Sequence, residues 1–194
     1  MSTLRTSSFH SVAITMALVS TLLVNTSYAY AYAETTTLQC NNENTATTAT
    51  TTHFTDNEDG TISDPKTGLI WKKCSEGQSW DSSNNTCTGS AQAYNWQQAL
   101  QQAQDVNGGV GEDLDASDWR VPNIKELSSI VEQRCYIPAV NVTAFPNTPS
   151  SLYWSSSPYA PNGASAWFVD FFNGNDNAYF KYGGYHVRLV RNGQ

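Results

Sequence analysis

Basic residues are scarce in this chain. Ten Lys and Arg stand against seventeen Asp and Glu, so the average surface repels polyanions, and neither nucleic acid nor an anionic membrane is the expected partner. Long apolar runs are missing too. The nearest to one, Val12 to Val24, falls short of the roughly 20 residues that a bilayer-spanning helix needs, so no transmembrane segment is expected. Histidine is limited to three residues, of which only His53 and His186 lie past the first 33 positions, and no Gly-x-Ser-x-Gly occurs. With no His or Lys at a telling offset from Ser155, Ser156 or Ser157, no nucleophile has a base beside it, and an enzyme is not expected. There is no Cys-x-x-Cys, which removes the usual zinc and redox signatures.

What the chain does have begins with an address. Arg5 gives a weakly basic start, the Val12 to Val24 run follows, and Ala31-Tyr32-Ala33 is a small-x-small cleavage site. Residues 1–33 therefore read as a signal peptide, and the rest as exported to the periplasm, the cell surface or the medium. Arg5 leaves with that segment, so nine Lys and Arg face the seventeen acids, a formal net charge of −8 for the remainder. Residues 34–53, dominated by Thr, read as a linker that buries nothing, and residues 54–194 as one domain. Four cysteines, Cys40, Cys74, Cys87 and Cys135, form an even set in an exported chain and imply two disulfides. Three pairings are open. Local loop closure favours Cys74 with Cys87, leaving Cys40 to tie the linker to Cys135.

The strongest local signal runs from Asp118 to Glu132. Pro122 disfavours helix just before it, Asn123 can accept a hydrogen bond from a free amide, and Glu126 can reach back to complete a capping box. Leu127, Ile130 and Val131 then recur at helical spacing, predicting two or three turns. A second box, Asn95 with Gln98, opens a helix whose Trp96, Ala99, Leu100 and Ala103 share a face and which stops near Asn107-Gly108-Gly109. Between Phe54 and Cys74, Gly60 and Gly68 mark two hairpin turns between short strands. The acidic run Asp56 to Asp59 invites calcium. However, counting Gly60 as sixth puts Thr55 first and Lys66 twelfth, so no motif supports a calcium loop and no cofactor is expected. Ser75 to Ser90 reads as a loop closed by cysteines, and Glu112 to Asp118 as a solvated one.

The last third is extended. Strands are expected over Leu152–Ser157, Trp167–Phe172, Ala178–Tyr182 and Tyr185–Arg191, with Asn173-Gly174-Asn175-Asp176 as a hairpin turn, the four forming one antiparallel sheet. In the final strand Val187, Leu189 and Arg191 alternate with His186, Arg188 and Val190, so one face alone should be buried. The fold class is α+β, two short helices with a small, mainly antiparallel sheet and long loops, stapled by disulfides.

Five segments in this order, Asp-Gly-Thr-Ile-Ser-Asp-Pro-Lys-Thr-Gly-Leu-Ile-Trp from Asp59, Asn-Trp-Gln-Gln-Ala-Leu from Asn95, Trp-Arg-Val-Pro-Asn from Trp119, Tyr-Trp-Ser-Ser-Ser from Tyr153 and Val-Arg-Leu-Val-Arg from Val187, carry a resemblance. Over about residues 54–192 the chain resembles the family once called DUF1566, the C-terminal domain of the Legionella collagen-like adhesin (Lcl). That resemblance implies a C-type-lectin-like fold, a role in adhesion, trimers and sulfated glycosaminoglycans as ligands. The chain departs from the adhesin in carrying no Gly-x-y repeat, so nothing in it enforces a homo-oligomer, and in its acidity.

Binding candidates come from aromatic and amide supply, because ring faces suit the C–H side of a pyranose while amides and carboxylates hold its hydroxyls. Tyr159, Asn162, Asn175, Asp176 and Tyr182, in turns or at strand ends, are the candidate ligand-binding residues. Trp154 and Trp167 read as core. Arg120, Arg188 and Arg191 read as structural, tied to carboxylates such as Asp64, Asp118 or Asp170. The expected partner is a glycan, in adhesion. The alternative is a non-catalytic structural or protein-interaction module meeting an envelope or host surface protein.

Overall fold

A computed structural model describes residues 53–110 and 117–193, together with the backbone of Gln39–Cys40. The chain divides into Met1–Thr35 and Thr36–Gln194, and every described residue lies in the second unit. The segment expected to be a signal peptide, most of the Thr-rich segment expected to be a linker, and the acidic stretch 111–116 fall outside the described residues. In chain order the elements are β1 (Gln39–Cys40), β2 (Thr55–Asp56), β3 (Thr61–Asp64), β4 (Leu69–Lys72), β5 (Ser79–Asp81), β6 (Thr86–Thr88), α1 (Trp96–Asn107), α2 (Ile124–Ser129), β7 (Cys135–Tyr136), β8 (Leu152–Pro158), β9 (Ser165–Asp170), β10 (Asn175–Phe180) and β11 (Val190–Asn192). The class is α+β, with antiparallel pairing throughout these strands.

Both capping boxes form. Asn95 Oδ1 accepts from the Gln98 amide while the Gln98 side chain accepts from the Asn95 amide, and Asn123 with Glu126 repeats the arrangement. α1 ends at Gly108 as its sequence requires. α2 is shorter than its apolar spacing suggested, because Ile130 already leaves helical geometry, although Leu127 and Ile130 are buried.

The sheets differ from expectation. A three-stranded sheet has the order β10-β9-β8 and a four-stranded one the order β11-β4-β3-β2, so the last segment does not close a single sheet with residues 152–180. It runs between the two. His186 exchanges backbone hydrogen bonds with Leu152 and Trp154 on one side; Val187 and Leu189 accept from Glu76 and Lys72 on the other. Enclosed on both sides, Val187, Arg188, Leu189 and Val190 are all buried, which replaces the one-faced alternation expected from the sequence.

Two core clusters result. One, beneath α2, gathers Trp71, Leu127, Phe145, Tyr153, Val169, Phe171 and Val190. The other packs Ala99, Ala103 and Val106 of α1 on Trp119, Trp154, Phe168, Val187 and Leu189. Because successive strand residues face opposite ways, Tyr153 and Trp154 serve different clusters, as do Val169 and Phe168, and β8 and β9 become the shared wall.

Two turns show why glycine is needed. At Gly60, with φ +88°, an added Cβ would lie 3.0 Å from the Trp80 ring; at Gly174, with φ +81°, it would lie 2.7 Å from Val131 Cγ1. The latter belongs to a four-residue loop, 171–174, closed by the Gly174 amide donating to Asp170. Asn175 and Asp176 are therefore the first residues of β10 and not turn residues, a correction to the hairpin turn expected over Asn173-Gly174-Asn175-Asp176. Ser75 to Ser90 likewise holds a hairpin, β5 with β6, in place of an irregular loop.

The arginines are structural, but their partners are not the expected ones. Arg188 is 1% exposed and has no carboxylate at hydrogen-bonding distance among the described residues. Its guanidinium donates to the carbonyls of Lys72 and Lys73 and to the hydroxyls of Ser75 and Thr148, and it stacks 4.7 Å over Phe145. Arg120 instead makes a fork with Glu126, at 2.6 and 2.8 Å, and Arg191 lies 5.5 Å over Trp119. Asp64 and Asp170 cap their own turns, through Lys66 and Phe172 amides.

Cys74 and Cys87 are bonded, closing the β5–β6 hairpin beneath the end of β4. Cys135 is also disulfide-bonded, and the backbone of Cys40 lies directly opposite it.

Two outcomes are expected from unfolding in urea. Arg188→Met should cost about 3–5 kcal/mol, since it strands two buried carbonyls and two hydroxyls, and Arg188→Lys should rescue little because an ammonium lacks the fork that reaches them; a midpoint close to the parent's would refute the hub. Replacing Cys74 and Cys87 together by Ala should cost about 3 kcal/mol, as a separation of 13 residues predicts for the lost chain constraint. An unchanged unfolding curve after that double substitution would show that the bridge adds nothing.

Candidate functional site

The corner at Trp119–Asn123 locks the scaffold on which any site must stand. Arg120 pairs its backbone with Val190 and its guanidinium with Glu126, and the Glu126 carboxylate also accepts from the Asn123 amide. Burial alone would raise the Glu126 pKa; the Arg120 hydrogen bonds, the Asn123 amide and the Arg120 charge outweigh it and hold it below the ordinary value of 4.5. Ile124 donates its amide to Ser157 Oγ, and Ser155 Oγ donates to the Trp167 carbonyl, so these hydroxyls are engaged in joining elements. His186 holds Nδ1 2.9 Å from the Gln92 carbonyl and packs its ring on Tyr153. In the acidic turn, Asp59 accepts from Thr61 amide and hydroxyl, and Asp56 accepts from the Glu58 amide and pairs with Lys73. Among the described residues no group of three or more His, Cys, Asp or Glu is arranged to hold a metal.

The five candidate residues divide between the two ends of β10. Tyr159 and Asn162 lie in the β8–β9 turn, which borders Phe180 and Lys181 through the Lys181 amide donating to Ala164 and the pairing of Phe180 with Ser165. Tyr182, 75% exposed, stacks on Phe180 with centroids 5.5 Å apart and planes 8° apart. Asn175 and Asp176 sit at the opposite end, about 13 Å of strand separating Asp176 from Phe180. The geometry thus groups Tyr159, Asn162 and Tyr182 and leaves Asn175 and Asp176 apart. Asn162 is occupied: its carbonyl accepts from Ser165 and its Oδ1 from Ala164, so it shapes the turn.

Trp154 is fully buried, as expected. Trp167 is not core: it is half-buried with Tyr159 edge-on at 5.2 Å.

Beside Tyr182 the surface opens into a cleft of about 430 Å³, lined by Asn95, Trp96, Gln97, Leu100, Lys181 and Tyr182. Its walls come from two elements stitched together: the Trp96 amide donates to the Lys181 carbonyl, Tyr94 and Tyr185 exchange backbone bonds, and Trp96 Nε1 donates to the Ser155 carbonyl. Lys181 Nζ lies 4.2 Å from the centre of the Trp96 ring and donates to the Gly163 carbonyl at 2.8 Å. Tyr179 and Phe180, both exposed, continue the aromatic surface along β10. Sequence reasoning assigned Trp96 to the packed face of α1 and passed over Lys181. The available signal was the aromatic-cation-aromatic run Phe180-Lys181-Tyr182.

The model of the Lcl C-terminal domain family matches residues 60–191. This chain belongs to that family. The matched span runs from the β2–β3 turn to the start of β11, so this Lcl C-terminal domain includes the corner, both helices and the aromatic cleft. No curated protein sequence matches the chain. Among the described residues no helix is long and apolar enough to cross a membrane.

The Arg120–Glu126 fork gives a pH-dependent expectation for this Lcl C-terminal domain. A carboxylate whose folded-state pKa is depressed contributes stability above its unfolded value and loses it as pH falls through the folded one. Glu126→Gln keeps the capping geometry without the charge, so it should be less stable than the parent at pH 7, by about 1 kcal/mol after discounting for partial exposure. The difference should shrink as pH falls below about 4.5. Thermal unfolding of both proteins from pH 7 to 3 measures this; a gap that does not change with pH would show that the charge plays no part.

Proposed function

We propose that this chain is an exported adhesin-type binding protein, released after cleavage at Ala33, in which the Thr-rich segment carries a non-catalytic domain that recognises glycans. The observation that supports this reading best is the aromatic surface at the Tyr182 end of β10. Exposed aromatic rings are costly to leave in water, and here Tyr179, Phe180 and Tyr182 stand together beside a cleft floored by Trp96. Rings supply flat apolar faces, and the amides of Asn95 and Gln97 supply donors and acceptors at the rim, the mixture a pyranose requires. A disulfide-braced scaffold holds these groups in place, and we place the second bridge between Cys40 and Cys135. The C-type-lectin-like fold that the resemblance implies would suit a binding role. Recognition is proposed to need no calcium, since the Asp56 and Asp59 carboxylates are engaged by their own loop and, for Asp56, by Lys73.

An array of diverse glycans, probed with and without calcium, tests the reading. Binding to at least one glycan class is expected under both conditions, weakened about five- to tenfold by Tyr182→Ala through loss of an exposed stacking ring. Retention of no sugar in either condition would defeat it and leave a protein partner as the ligand of this face.

A further inference from the structure

We propose that Lys73 and Asn85 form a self-modification site: the Lys73 amine attacks the side-chain amide of Asn85, with Asp56 as proton carrier, and an intramolecular isopeptide bond results. The claim is independent of the glycan reading and concerns how the scaffold is held.

Four segments bring the reacting groups together. Lys73 follows β4, its amide donating to the Gly60 carbonyl, and its charged side chain is only 1% exposed. The Trp80 ring of β5 covers Nζ at 4.1 Å from its centre, and the Gly60 turn packs against that indole. Asp56 of β2 pairs with Nζ; Asn85 Oδ1, bonded to the carbon under attack, lies 3.4 Å from it. Asn85 is held there by its backbone. Its φ of +50° is one that asparagine accepts far more readily than most residues, and Asp81 anchors the 82–85 turn through the Ser83 and Asn84 amides. An ion pair alone needs no asparagine. A carboxylate, an amine and a carboxamide carbonyl gathered on one buried nitrogen are the parts of an acyl transfer.

Only the neutral amine attacks. Burial would raise the Asp56 pKa, but the Lys73 hydrogen bond, the Glu58 amide and the Lys73 charge outweigh it and hold it below its ordinary value. The charged pair is therefore the resting state, and the reaction runs slowly, once per molecule. Asp56 takes one proton from the Lys73 ammonium, and the freed lone pair forms a bond to Asn85 Cγ, whose oxygen takes up the negative charge. The attacking nitrogen passes a second proton to Nδ2. The carbonyl then re-forms, the Cγ–Nδ2 bond breaks, and ammonia leaves with the proton that Asp56 held. Nothing is oxidised or reduced, and no outside reactant is needed. The one hydrogen left on Nζ donates to Asp56 where the ammonium did. Running beside the Cys74–Cys87 bridge, the new bond ties the β5–β6 hairpin to the end of β4 even when that bridge is reduced.

The test is mass spectrometry of the folded chain after residue 33, held until its mass no longer changes. Once the hydrogens lost in disulfides are allowed for, it should be lighter than its sequence by one ammonia. Cleavage after Glu76 and Asp81 separates Lys73 from Asn85 in the chain. After reduction the two fragments should therefore stay joined through the new bond alone, and fragment ions should place it at those two residues. Asn85→Ala, a change at an exposed turn, should keep its full mass. So should Lys73→Arg, which retains the cation and lacks the amine. Asp56→Ala should slow the loss of ammonia by about a hundredfold, the effect of removing a positioned proton carrier. A constant mass equal to that of the sequence, with fragments that separate on reduction, overturns the proposal. Ammonia lost elsewhere, as at Asn173-Gly174, with the fragments still separable, does the same. A loss of water that joins Lys73 to Asp56 overturns the assignment of Asn85.

Discussion

A guanidinium sealed away from water is the constraint on which the rest of the structure depends. Arg188 lies on the segment that runs between the two sheets, and its removal from water is offset by acceptors for both terminal nitrogens of the fork, while the buried Nε finds none among the described residues. Those acceptors come from two separate parts of the chain: residues 72–75, at and just beyond the end of β4, and Thr148 in the segment before β8. Around this hub other buried polar groups are satisfied in turn. Ser75 shares its hydroxyl with Tyr153, and Lys72 pairs with Glu76, which accepts from Gln102 of α1. Burial pushes the Arg188 pKa down from its ordinary value, while Tyr153 and the nearby Glu76 oppose the shift. Guanidinium nonetheless remains charged, so the network must remain closed. The Cys74–Cys87 bridge clamps the same stretch of chain, and covalent and polar constraints therefore converge on residues 72–76.

That convergence explains which features were legible in the sequence. Capping is a local matter of residues three apart, and both Asn95–Gln98 and Asn123–Glu126 formed as their spacing predicted. Turn chemistry at Gly60 and Gly68 was equally local. The pairing of strands was not, because Val187–Val190 offers the same β-prone residues whichever neighbours it takes. The alternation rule assumes one wet face, and it failed where a strand is flanked by two sheets. The arginines show the same limit. Their burial could be anticipated from strand motifs, whereas carbonyl and hydroxyl partners 40 to 116 positions away leave no trace in spacing.

The candidate site divides along similar lines. Tyr182, a candidate for its place at a strand end, is exposed just beyond β10. Asn175 and Asp176 were displaced by a loop-length effect: the 171–174 loop uses Asn173-Gly174 as its final pair, so the polar residues after it enter β10. Trp96 obeyed its helical periodicity only in part, because the first turn of α1 overhangs the sheet end and leaves the indole half covered. Lys181 was passed over because the Phe180-Lys181-Tyr182 run alone does not show its contacts with Gly163 and Trp96, which reach it from two other elements.

Recognition at this end of the molecule follows from how it is built. Trp96 is fixed by its indole bond and its amide, Lys181 by the Gly163 carbonyl, and the turn carrying Tyr159 by Asn162, so the surface meets a ligand with little left to order. A shallow cleft that receives about one sugar ring still offers few contacting atoms, and at typical ligand efficiencies of about 0.3 kcal/mol per atom a single ring is held with roughly millimolar affinity. Rigidity alone cannot lift that ceiling. On the proposed reading, adhesion would therefore come from repetition, many weak identical contacts along a polymeric glycan, in which the effective concentration of the next ring supplies what one cleft cannot.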